Sequence, residues 1–163
     1  MQKANFLPHK FYKFKMKELM FLKKLKKQRV IELVEPSEEI KDSYIAKSEN
    51  CLRSAKILFQ NNLYENSVSE AYYCMYDLLL ALLFKVGIKC ENHTASIILL
   101  DKVFNAPELL RIVLFGKEER IDKQYYVDSQ QKSKITEESC KEMILKSENF
   151  LVKMKLFISE LKN

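Results

Sequence analysis

The residues of this chain best suited to phosphate chemistry lie together between positions 118 and 126. The candidates are an arginine, a carboxylate, an amide and two adjacent tyrosines: Arg120, Asp122, Gln124, Tyr125 and Tyr126. A guanidinium group can hold phosphate oxygens with two parallel hydrogen bonds, and aromatic rings offer stacking surfaces for bases. The segment is therefore a candidate nucleotide- or RNA-binding site. Composition alone favours the simpler alternative, a solvated charged loop whose tyrosines pack back onto the protein.

Two further residues could take part in chemistry. The chain has two histidines, and His93 stands at a predicted helix start, where an imidazole bonding to the backbone is a more common arrangement than a functional one. Asp77 lies in an otherwise apolar stretch, so its carboxylate must be paired, hydrogen-bonded or placed at an opening. We expect Arg53 or Arg120 as its partner.

Other kinds of site are not indicated. The sequence contains no phosphate loop, nucleotide-binding glycine motif, HExxH or CxxC pair, so no metal and no cofactor is expected. Three of the four cysteines occupy apolar positions of helical patterns. Buried, reduced thiols of a cytoplasmic protein are preferred to a zinc site or a disulfide framework. The cysteines are Cys51, Cys74, Cys90 and Cys140.

Charge and composition separate an N-terminal extension from the rest of the chain. The 163 residues carry 28 lysines and arginines against 22 acidic residues, a net charge of +6. Residues 1–29 hold ten of the basic residues and a single acidic one, Glu18, so the remainder is mildly acidic. With only 2 glycines and 3 prolines, the chain has little from which to build hairpin turns. Helices joined by short loops are favoured.

The elements that must position the candidate residues are helices. A basic extension over residues 1–36, either an amphipathic helix from about Phe11 or an unstructured tail, precedes a helical domain over residues 37–163. Periodicity and capping signals predict helices over residues 37–61, from residue 64 or 65 to Gly87, from residue 92, from Pro107 to residue 115 or 116, and from Thr136. Residues 117–134 are expected to be irregular. The second of these helices, apolar on nearly every face from residue 71, should lie at the centre of an all-α, up-and-down bundle of four to five helices. Its apolar run is too short for a membrane span, which needs about 20 residues.

Four landmarks in order resemble one known family. Residues 63–68 read LYENSV and residues 71–76 read AYYCMY, followed by a leucine-rich run to Gly87. Residues 92–94 read Asn-His-Thr, and Arg120 precedes an Asp and paired tyrosines. Together these resemble the HEPN domain (higher eukaryotes and prokaryotes nucleotide-binding), over roughly residues 37–160. The resemblance implies a bundle of four or five helices that usually dimerises.

The functional expectations that follow from the resemblance are divided. Many HEPN proteins are metal-independent ribonucleases, often toxins paired with a small nucleotidyltransferase antitoxin that can adenylylate a tyrosine near the active motif. That motif is an arginine followed four to six residues later by a histidine. Arg120 matches the arginine, but Gln124, Tyr125 and Tyr126 stand where the histidine would be. RNA cleavage through the 2′-hydroxyl needs a group that exchanges a proton near pH 7, and a phenol, with a pKa near 10, does so poorly.

Three hypotheses result. The first is a dimeric HEPN protein of a nucleotidyltransferase-paired, toxin–antitoxin type, which binds nucleotide or RNA without cutting it and whose Tyr125 or Tyr126 can accept an adenylyl group. The second is a divergent ribonuclease toxin that uses Arg120 with Tyr125, Tyr126 or His93. The third is a non-catalytic helical interaction module whose basic extension docks on RNA or an acidic protein.

Overall fold

In the structure, a computed structural model, residues 14–124 and 135–161 are described, and side chains are described for residues 14–120 and 135–161. The described part is helical except for one pair of two-residue strands. Its elements in chain order are α1 (Met16–Lys27), β1 (Glu32–Leu33), α2 (Glu38–Gln60), α3 (Tyr64–Lys85), β2 (Ile88–Lys89), α4 (His93–Lys102), α5 (Pro107–Gln124) and α6 (Glu137–Glu160). The predicted all-α bundle is confirmed, with α2 to α6 as its five helices.

Side-chain caps set three of the helix starts at the predicted residues. The side-chain oxygens of Ser37, Asn92 and Thr136 each accept a hydrogen bond from the backbone N–H three residues further on, at 3.1, 2.9 and 3.1 Å. These bonds satisfy N–H groups that the first helical turn leaves without a partner. The Asn92 cap fixes where α4 begins and therefore where the candidate residue His93 stands.

Helix α3 is the centre of the bundle, as its apolar sequence predicts. From Ala71 to Leu83 nearly every side chain is buried, and α2, α5 and α6 all pack against it. Each Å² of apolar surface removed from water contributes about 25 cal/mol, so this packing is the main source of stability. None of the described helices combines the length and the apolarity that a membrane crossing requires.

The extension packs on the bundle through α1. Leu22 is buried, Phe21 and Leu25 rest against the core, and the lysines of the helix point to solvent. This is the amphipathic helix that the sequence allows as one of two alternatives. β1 then pairs antiparallel with β2, with Glu32 opposite Lys89. The expected helix start near Phe11 lies outside the described residues.

The prediction that the fourth helix ends near residue 115 or 116 is wrong. Helix α5 continues to Gln124, and Gly116 lies inside it. The glycine serves close packing: a Cβ placed there would lie 2.9 Å from Met75 Sδ and 3.0 Å from Met143 Cε. Arg120 therefore stands on a helix rather than in a loop. The prediction of an irregular segment over residues 117–134 is wrong for residues 117–124, which are helical, and residues 125–134 lie outside the described residues.

Candidate functional site

Three helices bring the candidate residues to one place. Helix α3 contributes Tyr72, Tyr73 and Tyr76, α4 contributes His93 at its first residue, and α5 contributes Arg120 from its last described turns. On α3, residues four apart lie on the same side, so Tyr72 and Tyr76 face α4 together. We call these five residues the Arg120 site.

Arg120 lies over aromatic faces. Its guanidinium carbon is 5.2 Å from the centre of the Tyr72 ring and 5.0 Å from the centre of the Tyr73 ring. Ring quadrupoles attract a cation at this distance. The buried Nε of Arg120 has no hydrogen-bond partner among the described residues. An unsatisfied buried donor costs about 1–3 kcal/mol, so pairing of this Nε would stabilise the protein.

His93 is held by two tyrosines. Its Nδ1 is 3.0 Å from the hydroxyl oxygen of Tyr72, and its ring stacks on that of Tyr76 with centres 3.7 Å apart and planes 8° from parallel. The expectation that a histidine here bonds to the backbone is wrong, because a buried phenol takes that place. When Nδ1 carries the hydrogen it donates to Tyr72, and Nε2 is then left with a free lone pair.

Electrostatics keep this imidazole neutral. Burial lowers the pKa of His93 from its ordinary 6.5, the positive charges of Arg120 and Lys117 lower it further, and the Asp77 charge opposes them. Burial also raises the pKa of Tyr72 to about 12, although the Arg120 charge opposes the rise. Tyr76 also has a raised pKa, again because of burial. Among the described residues of the site, His93 is therefore the group that can accept a proton near pH 7.

A second cation borders the site. Lys117, three residues before Arg120 on α5, donates a hydrogen bond from Nζ to Thr94 Oγ1 on α4, at 2.8 Å. Lysine and arginine on one helix face place two positive charges beside a neutral imidazole, which is an arrangement suited to an anion. Among the described residues, no three histidine, cysteine, aspartate or glutamate side chains converge in a way that could hold a metal ion.

Comparison with known proteins identifies the family of this chain. The sequence profile of the HEPN domain matches residues 41–156. The chain belongs to the HEPN family. A relative from Methanocaldococcus jannaschii named "Putative toxin MJ0605" is 30% identical over 119 residues, which make up 70% of this chain and 85% of the relative. The HEPN match begins inside α2, so α1 and β1 lie outside it.

Asp77 of this HEPN chain has a different partner from the one expected. Its side chain is 2% exposed, and Oδ1 accepts a hydrogen bond from Lys47 Nζ at 2.9 Å. The Cys51 thiol donates to Oδ2 at 3.7 Å, and the bond to Asp77 raises the pKa of Lys47. The predicted arginine partners are wrong because Arg53 points to solvent and Arg120 lies on the tyrosine rings.

The structure brings together some of the predicted site residues of this HEPN chain and leaves others undescribed. His93 and Arg120 contact the same ring, that of Tyr72, although 27 positions separate them in sequence. Asp122 and Gln124 lie at the end of α5, but their side chains are not described. The last two candidates, Tyr125 and Tyr126, lie outside the described residues.

Sequence reasoning missed the residues that hold the site together, namely the three tyrosines of α3 and Lys117. A signal for the tyrosines was available. A buried phenol needs a hydrogen-bond partner, so tyrosines on a central apolar helix mark a polar contact in the core. The spacing of Tyr72 and Tyr76 indicated which side of the helix that contact is on. Their partner, His93, could be found only from the packing of α4 on α3.

Proposed function

We propose that this HEPN protein binds the phosphate of RNA or of a nucleotide at the Arg120 site. The observation that carries the proposal is the Arg120 guanidinium, which lies over the Tyr72 and Tyr73 rings and whose buried Nε lacks a partner among the described residues. Arg120 as a whole is only half-buried, so its terminal N–H groups can donate to a ligand. A phosphate, with several strong acceptor oxygens, is the complementary anion.

The surroundings of Arg120 support phosphate over a simple carboxylate. Lys117 adds a second positive charge on the same helix, and the half-buried rings of Tyr73 and His93 are the parts of the aromatic cluster that a base could reach to stack. A polyanion releases counterions when it meets several cations, which strengthens RNA binding relative to binding of a small monoanion. His93 is neutral at pH 7, so its imidazole neither attracts nor repels an anion bound by Arg120 and Lys117.

A binding measurement with paired variants tests the proposal. Fluorescence anisotropy of a labelled single-stranded RNA should give at least tenfold weaker binding for Arg120→Ala than for the wild type. Arg111→Ala is the matched control, since Arg111 lies nine residues earlier on the opposite, exposed face of α5. Equal binding by wild type, Arg120→Ala and Arg111→Ala would show that the Arg120 site does not bind RNA. Such a result would favour the non-catalytic interaction module.

We further propose that the protein is dimeric and works with a minimal nucleotidyltransferase of the toxin–antitoxin type. The relative that carries the name of a toxin and the two tyrosines that follow Arg120 support this pairing. Tyr125 or Tyr126 would then accept an adenylyl group. Intact-mass analysis of the protein co-expressed with its neighbouring nucleotidyltransferase should show one added adenylyl mass, lost in Tyr125→Phe/Tyr126→Phe. Light scattering after size exclusion tests the dimer independently.

One observation favours a second candidate function, a ribonuclease. His93 is part of the Arg120 site, its lowered pKa keeps the imidazole unprotonated at pH 7, and Tyr72 orients it, so it can act as a general base for a 2′-hydroxyl. The histidine that Arg120 lacks four to six residues further on would then be supplied by another helix. If so, purified protein cleaves RNA without metal, His93→Gln and Arg120→Ala each abolish cleavage, and expression arrests growth. RNA that binds but stays intact would exclude this function and leave the first proposal standing.

A further inference from the structure

A groove between α4 and α5 continues directly from the Arg120 site. It encloses about 280 Å³, and its walls are Ile97 and Ile98 of α4 with Leu110 and Leu114 of α5. Ile97 is buried and forms the floor, whereas Ile98 and Leu114 are 41% and 38% exposed at the rim. The groove is almost entirely apolar. Ligand pockets of proteins typically measure roughly 300–1,000 Å³, so this groove has the size for one small ring system.

The two ends of the groove are polar and differ in charge. At the end nearest Arg120, Lys117 and Thr94 line the groove and are hydrogen-bonded to each other. At the far end lie Asp101 and Lys102, whose charged groups are 2.6 Å apart. That pair is solvent-exposed, so it contributes little to stability and can exchange for another partner at low cost. Along α4, the distance from Thr94 to Asp101 is about 10 Å.

From this order of chemistry we infer that the α4–α5 groove is a base-binding subsite, which takes a nucleobase carrying an amino group. The inference rests on phosphate binding at the Arg120 site. A nucleotide has an anion at one end, a flat and largely apolar ring in the middle, and N–H donors on the far edge of the ring. The groove presents the Lys117 cation, aliphatic walls and the Asp101 carboxylate with its Lys102 partner in the same order. A carboxylate accepts hydrogen bonds from an exocyclic amino group, as it does from that of cytosine.

The dimensions and continuity of the groove argue against a protein segment as its occupant. A docked helix is about 10–12 Å in diameter with its side chains. It needs a longer and wider groove than this one, which runs between two helices and extends along α4 from Thr94 to Asp101. Lys117 belongs both to the groove and to the surroundings of Arg120, so a ligand can contact both without crossing open surface. The base would add contact energy to the phosphate and would confer selectivity among bases.

The test compares ligands that differ only in the base. The full-length protein is titrated by NMR with cytidine, guanosine and uridine 5′-monophosphates and with ribose 5-phosphate, which has the phosphate but no base. We expect cytidine and guanosine monophosphates to bind about tenfold more tightly than ribose 5-phosphate, because only the base buries apolar surface against the aliphatic walls. The methyl signals of Ile97 and Leu110 should shift with the monophosphates alone. Uridine monophosphate, which lacks the amino group, should bind more weakly than cytidine monophosphate.

Variants of the groove show which residues contact the base. Ile98→Ser/Leu114→Ser should bring the affinity for cytidine monophosphate down to that for ribose 5-phosphate, and Asp101→Ala should remove the preference for cytidine over uridine. The control is Leu145→Ser/Val152→Ser, which changes two apolar residues of α6 that are more exposed than Ile98 and Leu114 and should leave the affinities unchanged.

The outcomes separate this inference from the function on which it rests. Equal affinities for ribose 5-phosphate and all monophosphates would refute the base subsite and leave the phosphate site standing. Failure of every phosphate probe to bind would refute the proposed function and the subsite together. If the groove variants change the sedimentation behaviour of the protein but not the base preference, the groove is an interface between copies of the chain and the inference is wrong.

Discussion

The hydrogen bond between Tyr72 and His93 makes a quantitative prediction. Tyr72 is fully buried, so Tyr72→Phe removes a hydroxyl that has no access to bulk water and keeps the ring beneath Arg120. A net hydrogen bond is worth about 0.5–1.5 kcal/mol, and leaving a buried donor or acceptor unpaired costs about 1–3 kcal/mol. His93 is only half-buried, so water can reach part of its ring and the loss should lie at the low end. We expect a decrease of about 1 kcal/mol in the free energy of unfolding.

Urea unfolding followed by circular dichroism measures this loss. With an m value of about 2 kcal/mol per M, the midpoint should fall by about 0.5 M. Tyr73→Phe is the matched control, because the Tyr73 ring also lies under Arg120 but its hydroxyl makes no hydrogen bond to a described residue. A double-mutant cycle of Tyr72→Phe with His93→Gln should give a coupling of about 1 kcal/mol. Equal midpoints for the two phenylalanine variants, together with zero coupling, would refute the assigned bond.

Three further predictions concern groups near the site. Because folding lowers the pKa of His93 from 6.5, the unfolded chain binds the proton more readily than the folded chain. This part of the stability is present above pH 6.5 and is lost as pH falls through the folded pKa. The urea midpoints at pH 7 and pH 5 should therefore differ less for His93→Gln than for the wild type. Lys47→Met leaves the Asp77 carboxylate buried without its cation and should lower the free energy of unfolding by about 2 kcal/mol, measured by heat or urea. The double variant Lys47→Met/Asp77→Leu should be more stable than Lys47→Met, and the reverse order would contradict the pairing. Burial raises the pKa of the Cys51 thiol to about 12. Iodoacetamide at pH 8 should therefore alkylate this thiol at least about a hundredfold more slowly in the native protein than in urea. Peptide mass mapping measures the two rates, and equal rates would contradict the raised pKa.

The sequence predicted the helices of the bundle well, because caps and periodicity are local properties. Ser37, Asn92 and Thr136 each begin the helix that the sequence indicated, and the apolar run of α3 correctly predicted its central position. Gly116 was misread for a physical reason. A glycine favours a helix end when it supplies a positive φ, but here it makes room for two methionine side chains from other helices. Only the tertiary packing distinguishes the two uses.

The candidate site was predicted in part. The chemistry of Arg120 follows from its residue type, and the HEPN resemblance drew attention to it. The contact of Arg120 and His93 with one tyrosine ring did not follow, because it depends on how α4 and α5 pack on α3. The partner of Asp77 was missed for the same reason, since Lys47 is placed opposite it by the register of α2 on α3. Contacts between helices are set by packing, which periodicity within one helix does not contain.

The salt dependence of RNA affinity tests the central claim most directly. Log affinity against log salt for a single-stranded RNA has a slope of about −0.7 per neutralised phosphate. If Arg120 holds a phosphate, Arg120→Ala should make the slope shallower by about 0.7 and weaken binding at least tenfold at low salt, whereas Arg111→Ala should leave slope and affinity close to those of the wild type. Superimposable salt curves for the wild type and Arg120→Ala would contradict a phosphate site at Arg120.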